Sequence, residues 1–304
     1  MFSKVLLCMG AGVDARIIAQ ALDFCSRAKA ELVLLSIFEE PTKSVASYFS
    51  SQQKDLKSII LEHHKGILAE AMAEHKLDPA DIVQEVRWGR DFIETIKIVQ
   101  QGGFDLVIAP SQEASGPPDS TAMHLMRKCP CPVWIHRGHL WKGAVRLLAA
   151  VSTADLSEET RKLNLKILDH SLKLNEILGG KLHIMSCWSA YMESVLSSPR
   201  FSQKEKDDYL AYEQAQAEEE LASLVGALNI PETVKSKAIY GNPAQLISQY
   251  AVDQMIDVVV MGSVARTGIP GLLVGNTAEK IVNNLEESIL AIKPDGFVSP
   301  VKGT

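Results

Sequence analysis

The 304-residue chain carries the same sequence pattern twice, and this internal repeat constrains its fold more than any other feature. Residues 88–111 align with residues 240–263 without a gap, and Asp105 matches Asp257 at an offset of 152 residues. The other matching pairs are residues 30–38 with 180–188 and residues 131–136 with 288–293. Self-similarity at a constant offset indicates that one structural unit occurs twice in tandem.

Each half alternates short apolar runs with segments of helical periodicity. The runs L106-V-I-A109 and V258-V-V-M261 are bounded by turns, as expected for strands that are buried on both faces of a parallel sheet. Leu174 and Leu178 continue a helical pattern that stops at Gly179. The regular alternation of strand and helix predicts an α/β fold, with two tandem doubly wound parallel-sheet domains of Rossmann-like type.

The predicted join between the two domains lies at residues 137–143, where glycines interrupt both patterns. A chain of this length is long enough for two domains, each with its own core. We therefore place a first domain at residues 1–140 and a second domain at residues 144–304.

Charge and hydropathy exclude several classes of function. The net charge of -6 at pH 7 disfavours binding to nucleic acid or to an anionic membrane, since both need clustered lysine and arginine. No apolar run approaches the ~20 residues of a membrane-spanning helix. The apolar start at residues 1–13 lacks a small-residue cleavage motif and has a near copy at residues 146–151, so it is read as a strand. We expect a cytoplasmic protein.

Cysteine and histidine usage gives little support to a metal or redox site. The five cysteines form no C-x-x-C pair, which predicts reduced, mostly buried thiols. Cys129 and Cys131 leave a redox pair open as an alternative, although two thiols supply too few ligands for zinc. His63, His64 and His75 have the spacing of a solvated helix face, so no metal site is predicted.

A segment that is poor in side chains follows the apolar run 256–261. Residues 262–275 include four glycines and lead into a helix that begins near Asn276. Ligands of open α/β sheets lie beyond the carboxyl ends of the strands, and helix N-termini attract phosphate. The glycines and Arg266 therefore predict contact with a nucleotide. The alternative is a tight connection followed by a helix cap of Asn276 and Glu279.

This loop and its surroundings resemble the universal stress protein family. Nucleotide-binding members carry Gly, two residues, Gly, nine residues, Gly, then Ser or Thr, and Gly262 and Gly275 match the first and last glycines. Matching segments lie at residues 124–134, 266–269, 275–279, 292–295 and 299–301. The resemblance extends over nearly the whole chain to the tandem, E-type members. It implies adenine nucleotide alpha hydrolase-like domains, an internal pseudo-dimer, further homodimerisation, and a stress-response role without catalysis or a required cofactor.

Family members with the complete loop bind ATP or AMP, and the resemblance assigns this role to the second domain. The matching positions are Val151, Ser152, Gly262, Ala265, Arg266, Gly268, Gly275, Asn276 and Thr277. Ala265 replaces the middle glycine, and Asn276 replaces the serine or threonine. Ser152 replaces an aspartate that contacts the adenosine, and its hydroxyl lacks the charge-assisted strength of a carboxylate. We therefore expect weakened nucleotide binding.

The first domain departs further from the binding pattern. Pro110 stands in the place of Gly262, which fixes φ and removes an N–H donor. Gly10 stands where the strand-end aspartate would be, and the connection after Ser111 is five residues shorter than the one after Ser263. We expect no nucleotide at this site of the first domain.

A protein that binds a different small molecule, such as a lipid-like ligand, or that acts as a scaffold is the alternative function. The replacements at residues 152, 265 and 276 favour it, whereas the retained glycines favour a nucleotide. We predict that the protein is not an enzyme, since the sequence has no G-x-S-x-G, H-E-x-x-H or Walker lysine motif. Asp105 and Asp257 each precede a strand and are predicted to cap it.

Overall fold

The computed structural model describes residues 2–10, 12, 14–52, 54–78, 82–111, 116–141, 143–191, 195, 198, 200–263 and 275–303. The chain forms two compact units. Unit 1 comprises Met1–Pro110, Ser120–Val133 and Ser299–Thr304, and unit 2 comprises Ser111–Asp119 and Trp134–Val298. Each unit thus includes a short segment that is distant in sequence from the rest of it.

Unit 1 contains a parallel sheet flanked by helices. Its described strands are β1 (Lys4–Gly10), β2 (Glu31–Phe38), β3 (Val83–Trp88) and β4 (Leu106–Pro110), in the spatial order β3-β2-β1-β4. Its described helices are α1 (Ala15–Ala28), α2 (Lys43–Ser51), α3 (Leu56–Glu74), α4 (Asp91–Gly102) and α5 (Ser120–Lys128). Two helices therefore lie between β2 and β3, where the sequence pattern predicted one.

Unit 2 repeats this arrangement. Its strands are β5 (Val133–His136, of which the first residue is assigned to unit 1), β6 (Arg146–Val151), β7 (Lys181–Trp188), β8 (Lys235–Tyr240), β9 (Val258–Gly262) and β10 (Ser288–Ile292), in the order β5-β10-β9-β6-β7-β8. Its described helices are α6 (Glu158–Leu178), α7 (Gln203–Ala227), α8 (Pro243–Asp253) and α9 (Asn276–Asn284). The chain order reverses between β9 and β6, which is the switch point where such sheets bind ligands. The α/β prediction is confirmed.

The central strands are buried, as the apolar runs predicted. Val258, Val259 and Val260 have no exposed surface, and Leu106 and Val107 are equally buried. Side chains on both faces of these strands meet helices, so the sheet carries the core of each unit. The interpretation of these runs as buried parallel strands is confirmed.

An aspartate before the fourth strand of each repeat ties that strand to the first one. The Asp105 carboxylate accepts hydrogen bonds from the backbone N–H groups of Ser3 (2.8 Å) and Lys4 (3.2 Å). Asp257 accepts one from the backbone N–H of Arg146, at 2.7 Å. Each aspartate therefore caps the first strand of its repeat, and not the strand that it precedes, and it holds the first and fourth strands in register.

The short distant segments are anchored by specific hydrogen bonds within their units. In unit 1, Gln100 Nε2 donates to the carbonyl oxygen of Val301 at 2.9 Å. In unit 2, Arg137 is fully buried, and its Nη2 donates to the carbonyl oxygens of Gly116 and Leu285 (2.6 Å for the latter). The buried guanidinium satisfies two backbone carbonyls and thereby attaches the short segment around Gly116 to the chain around Leu285.

Histidine 64 is buried, so the prediction that it shares a solvated face with His63 and His75 is wrong. Its side chain is 5% exposed, and its Nε2 lies 2.7 Å from the Ser36 hydroxyl. His63 and His75 are exposed. The helix α3 turns the imidazole of His64 towards β2, where Ser36 supplies a polar partner inside the core.

All five cysteines are buried, as the odd count in the sequence predicted. The sulfur atoms of Cys129 and Cys131 lie 3.6 Å apart. In the described part of the chain, no group of three His, Cys, Asp or Glu side chains could hold a metal ion. Among the described helices, none combines the length and the apolar character needed to cross a membrane.

Burial lowers the pKa of four histidines, and stability should therefore fall at mildly acid pH. Desolvation is the largest cause of the lowered pKa at His64, His124, His170 and His183. The unfolded chain, with histidine pKa values of about 6.5, then binds more protons than the folded one just below that pH. The contribution of these histidines to the free energy of unfolding is complete above this pH. It is lost as the pH falls through the lowered pKa values of the folded chain.

We expect the urea midpoint to be lower at pH 5.5 than at pH 7.5. His64→Gln should remove part of this dependence, because the glutamine cannot take up a proton. His63→Gln, which changes the exposed neighbour, should leave the dependence intact. Equal urea midpoints of the unchanged protein at the two pH values would contradict this prediction.

Candidate functional site

A cavity of about 290 Å³ opens in unit 2 beyond the carboxyl ends of three strands. Val151 of β6, Trp188 of β7 and Gly262 of β9 mark these ends and line the cavity. The N-terminal turns of α6, α8 and α9 also contribute lining residues. Strand ends and helix N-termini therefore meet at one place, which suits a polar or anionic ligand group.

The floor of the cavity is apolar and its rim is polar. Ile167, Ile247, Met261 and Ile281 belong to the floor, and each is buried. The polar lining side chains are Ser152, Asp155, Thr160, Asn164, Ser189 and Thr277. An apolar depression with a few polar groups at its edge is the usual form of a small-molecule site.

Asn164 holds the edge of the cavity in place. Its Oδ1 accepts a hydrogen bond from the backbone N–H of Ser152 (3.1 Å), and its Nδ2 donates to the Ser152 carbonyl (2.6 Å). Asn164 is 3% exposed, whereas Ser152 is exposed, so the two bonds are partly buried. The chain that leaves β6 is thereby attached to the first turns of α6.

A carboxylate stands at the rim. Asp155 Oδ1 accepts from the backbone N–H of Ser157 at 3.0 Å, and its Oδ2 accepts from the hydroxyl of Thr160 at 2.8 Å. Ser157 in turn caps α6, because its hydroxyl accepts from the Thr160 N–H. These local bonds position the Asp155 carboxylate between the end of β6 and the start of α6.

Gly262 is required by packing between helix and sheet. Its φ lies outside the left-handed region, but an added Cβ would lie 3.0 Å from Leu163 Cδ2 and 3.5 Å from Ile167 Cδ1. The absence of a side chain lets α6 approach β9 closely. This packing role of Gly262 does not depend on a ligand.

Helix α9 begins at Asn276, as predicted, but its N-cap lies one residue earlier than the predicted cap. Gly275 is the N-cap residue, with φ -60°, and it makes no side-chain capping hydrogen bond. Asn276 is the first helical residue, so the alternative in which Asn276 caps the helix is wrong. Thr277 follows and lines the cavity. The first N–H groups of α9 thus have no side-chain acceptor from the N-cap residue, which suits an anionic ligand.

A buried lysine lies next to the glycine-rich segment. Lys293 is 2% exposed, and its Nζ donates to the Ser263 hydroxyl at 2.8 Å. The same ammonium lies 4.7 Å from the ring centroid of Phe297. Because Ser263 directly follows Gly262, the ammonium of Lys293 lies beside the end of β9.

The structure brings four of the nine predicted site residues together around the cavity: Val151, Ser152, Gly262 and Thr277. Gly275 and Asn276 start the helix that carries Thr277. Ala265, Arg266 and Gly268 lie outside the described residues.

Sequence reasoning did not identify Asp155, Asn164 or Lys293. One sequence signal could have identified Asn164, because it is a polar residue on the apolar helix face that also carries Ile167.

Burial raises the pKa of the Cys187 thiol to about 12, so this cavity-lining side chain is neutral at pH 7.

The corresponding place in unit 1 is built differently. Gly10 has a left-handed φ of 57°, and a Cβ there would lie 3.5 Å from the Asp91 carboxylate. Asp91 begins α4, whereas Pro243 begins α8 and lines the cavity of unit 2. A carboxylate near the end of β1 opposes a phosphate group. The absence of nucleotide binding in the first domain stays a prediction.

Sequence comparison identifies relatives of the chain. The profile of the universal stress protein family matches residues 1–137 and again residues 153–293. Universal stress protein E of Escherichia coli strain K12 is 29% identical over 225 residues, which cover 72% of this chain and 70% of the relative. The universal stress protein E homolog of Haemophilus influenzae is 24% identical over 271 residues, or 86% of this chain and 85% of that protein.

Comparison with solved structures supports the fold. A putative universal stress protein from Pseudomonas aeruginosa UCBPP-PA14 has a TM-score of 0.69 and 20% identity, and the match covers 97% of this chain and 94% of that one. A universal stress protein from Archaeoglobus fulgidus has a TM-score of 0.62 at 17% identity, covering 95% and 98% of the two chains. Both matches extend over the two repeats.

Replacing Asn164 by alanine should destabilise the edge of the cavity. The change removes two partly buried hydrogen bonds and leaves the N–H and the carbonyl of Ser152 without this partner. We expect the free energy of unfolding to fall by about 2 kcal/mol, measured by urea denaturation. Asn283→Ala, an exposed asparagine of α9, should change it by less than about 0.5 kcal/mol. A loss at residue 164 no larger than the loss at residue 283 would refute the prediction.

Proposed function

Because the chain belongs to the universal stress protein family, we propose that it is a stress-response protein whose second unit binds the adenine nucleotides AMP or ATP. The observation that supports this most is the cavity at the ends of β6, β7 and β9. Val151, Ser152, Gly262 and Thr277, which the family pattern assigns to nucleotide binding, all line it. Residues far apart in sequence thus share one pocket at the switch point of the sheet.

Different parts of the cavity lining suit the adenine, the ribose and the phosphate of a nucleotide. The apolar floor, which includes Ile247 and Met261, offers a dry surface for an adenine ring. The polar rim near Ser152 and Thr160 offers partners for ribose hydroxyls. The uncapped N-terminus of α9 is the place for phosphate. The cavity volume lies at the lower end of the range for ligand sites, which fits the nucleoside part.

Asp155 compensates in this proposal for the carboxylate that is missing at residue 152. Both residues line the cavity, and Asp155 lies three positions later in the chain. Its local hydrogen bonds with Ser157 and Thr160 hold the carboxylate in position at the rim. Such a carboxylate accepts a ribose hydroxyl more strongly than a serine hydroxyl does.

The protein binds its ligand without turnover in this proposal, requires no cofactor and works in the cytoplasm. A stress regulator of this kind needs only a difference in ligand affinity between two conformations of the chain. The buried thiols, including Cys8 and Cys25, agree with a reducing compartment.

An apolar small molecule is the second candidate ligand, and the composition of the cavity floor favours it. Ile167, Ile247, Met261 and Ile281 supply a continuous apolar surface, while Ser152 lacks the charge of the usual aspartate. A scaffold role without any small ligand is the third outcome. The experiment below separates the three.

Blocking the cavity should abolish nucleotide binding. Isothermal titration of ligand-free protein with AMP and with ATP is expected to show one site per chain. Ala154→Trp places a large ring at the exposed rim of the cavity and should weaken binding about tenfold or more. Ala215→Trp puts the same ring on the exposed side of α7 and should have no effect.

Three outcomes of this titration are informative. Unchanged affinity in Ala154→Trp would place the nucleotide elsewhere. Absence of nucleotide binding, together with saturable binding of a fluorescent fatty acid that Ala154→Trp abolishes, would favour the apolar ligand. Absence of both would favour the scaffold.

Removing the charge of Asp155 should weaken AMP binding while keeping the fold. Asn at this position retains one oxygen for the turn at Ser157, so α6 still has its cap. Because a charge-assisted hydrogen bond exceeds a neutral one by about 1 kcal/mol, we expect about fivefold weaker binding by titration. Asp253→Asn makes the same charge change at an exposed site and should leave the affinity unchanged. Equal affinities of the two variants would remove Asp155 from the site.

A further inference from the structure

We propose that the edge strand β8 of unit 2 is a docking surface for an extended, acidic segment of a partner protein. The β8 patch consists of Arg146, Lys181, Lys235 and Lys237, arranged around His183 on one face of the sheet. It lies apart from the cavity, since none of these five residues lines it. The inference is therefore independent of the proposed nucleotide site.

The strand register sets the geometry of the patch. Arg146 lies opposite Lys181, and His183 lies opposite Lys235. Met185, two residues beyond His183, lies opposite Lys237. Partner residues of parallel strands, and residues two apart on one strand, share a face of the sheet. The four cations therefore surround His183 on the same face.

His183 and its neighbour on α8 form the centre of the patch. His183 is 8% exposed, and its Nδ1 lies 3.0 Å from the hydroxyl of Tyr250. Desolvation lowers the pKa of His183, and the charges of Lys235, Arg146, Lys181 and Lys237 lower it further. The charges that contribute to this lowered pKa are thus all positive.

Like charges on neighbouring strands destabilise the sheet, so the β8 patch is unfavourable for the fold alone and indicates another role. The chain has an excess of acidic residues, with 37 Asp and Glu against 31 Lys and Arg. Within the described residues, Lys181, Lys235 and Lys237 nevertheless form no ion pair. Lysines on an edge strand discourage aggregation, but Lys181 and Arg146 lie on the inner strands β7 and β6. Edge protection alone therefore does not account for them.

The first repeat provides an internal comparison, because its strands have the same register. The positions of Arg146, Lys181, His183, Lys235 and Lys237 are taken there by Lys4, Glu31, Val33, Val83 and Glu85. In this set Lys4 pairs with Glu31 at 3.9 Å. The same scaffold therefore folds with mixed charges, and the cations of the second repeat are a specific addition.

The geometry of β8 fits a strand-like partner. Among the strands that the structure describes, β8 pairs with β7 and ends the sheet, so its other edge is where a further strand would add. Lys235 and Lys237 are both exposed and lie about 7 Å apart along the strand. An added strand with a carboxylate at every second residue would place one opposite each lysine.

A synthetic peptide tests this inference on the full-length protein. The probe is an eight-residue peptide with glutamate at alternate positions and threonine between them, titrated at low ionic strength. We expect saturable binding that Lys235→Glu with Lys237→Glu weakens about tenfold or more. Lys204→Glu with Lys206→Glu makes the same charge change on α7 and should alter the affinity less than about threefold. Circular dichroism checks that both variants fold.

Two further measurements separate strand addition from general attraction of anions. A peptide of equal charge, with proline in place of threonine, loses every second N–H donor and favours polyproline II geometry, so it should bind at least about tenfold more weakly. Binding of the glutamate peptide should raise the pKa of His183, followed by NMR, because added carboxylates offset the neighbouring cations.

Several results would overturn the inference. These are the absence of saturable peptide binding, equal losses in the two double variants, or equal affinity for the proline peptide. Tighter binding of a single-stranded oligonucleotide of the same charge would likewise reject it, in favour of a nucleic-acid surface.

Discussion

Two hydrogen bonds between the Asn164 side chain and the backbone of Ser152 attach the end of β6 to α6 at the edge of the candidate site. Where a strand ends at a switch point, the chain continues into the next helix, and the last backbone groups of the strand need hydrogen-bond partners. Here a buried amide on α6 supplies both a donor and an acceptor. The exit from β6 is thereby fixed to α6 beside the cavity that α8 and α9 also line.

The two repeats show which constraints belong to the scaffold and which belong to a site. Asp105 and Asp257 make equivalent hydrogen bonds to the first strand of their repeat, so this link is part of the scaffold. In contrast, the equivalent helices α4 and α8 begin with Asp91 and Pro243. The carboxylate of Asp91 opposes an anionic ligand, whereas Pro243 carries no charge. The shared links preserve the sheet, while the ends of the strands are free to diverge in chemistry.

Sequence reasoning succeeded where the signal was periodic. The apolar runs and the constant offset of the repeats were sufficient to predict strands, helices and fold class, because burial on both faces leaves few other arrangements. It failed where the outcome depends on neighbours across the sheet. Whether His64 faces Ser36 or solvent, and whether Gly262 makes room for Leu163 or for a ligand, depends on the approach of a helix.

The candidate site could be predicted only in part for the same reason. Val151, Ser152, Gly262 and Thr277 follow a family pattern that is visible along the chain. Asn164 and Asp155 act through contacts with backbone groups that a linear pattern does not contain. The exchange of short segments between the units has a consequence for the history of the chain. Val301 accepts a hydrogen bond from Gln100, and Arg137 donates to the carbonyl oxygen of Leu285, so a split of the chain between the repeats would deprive both products of a packing element. The tandem arrangement is thus self-preserving, because neither half separated from the other would keep all of its own contacts.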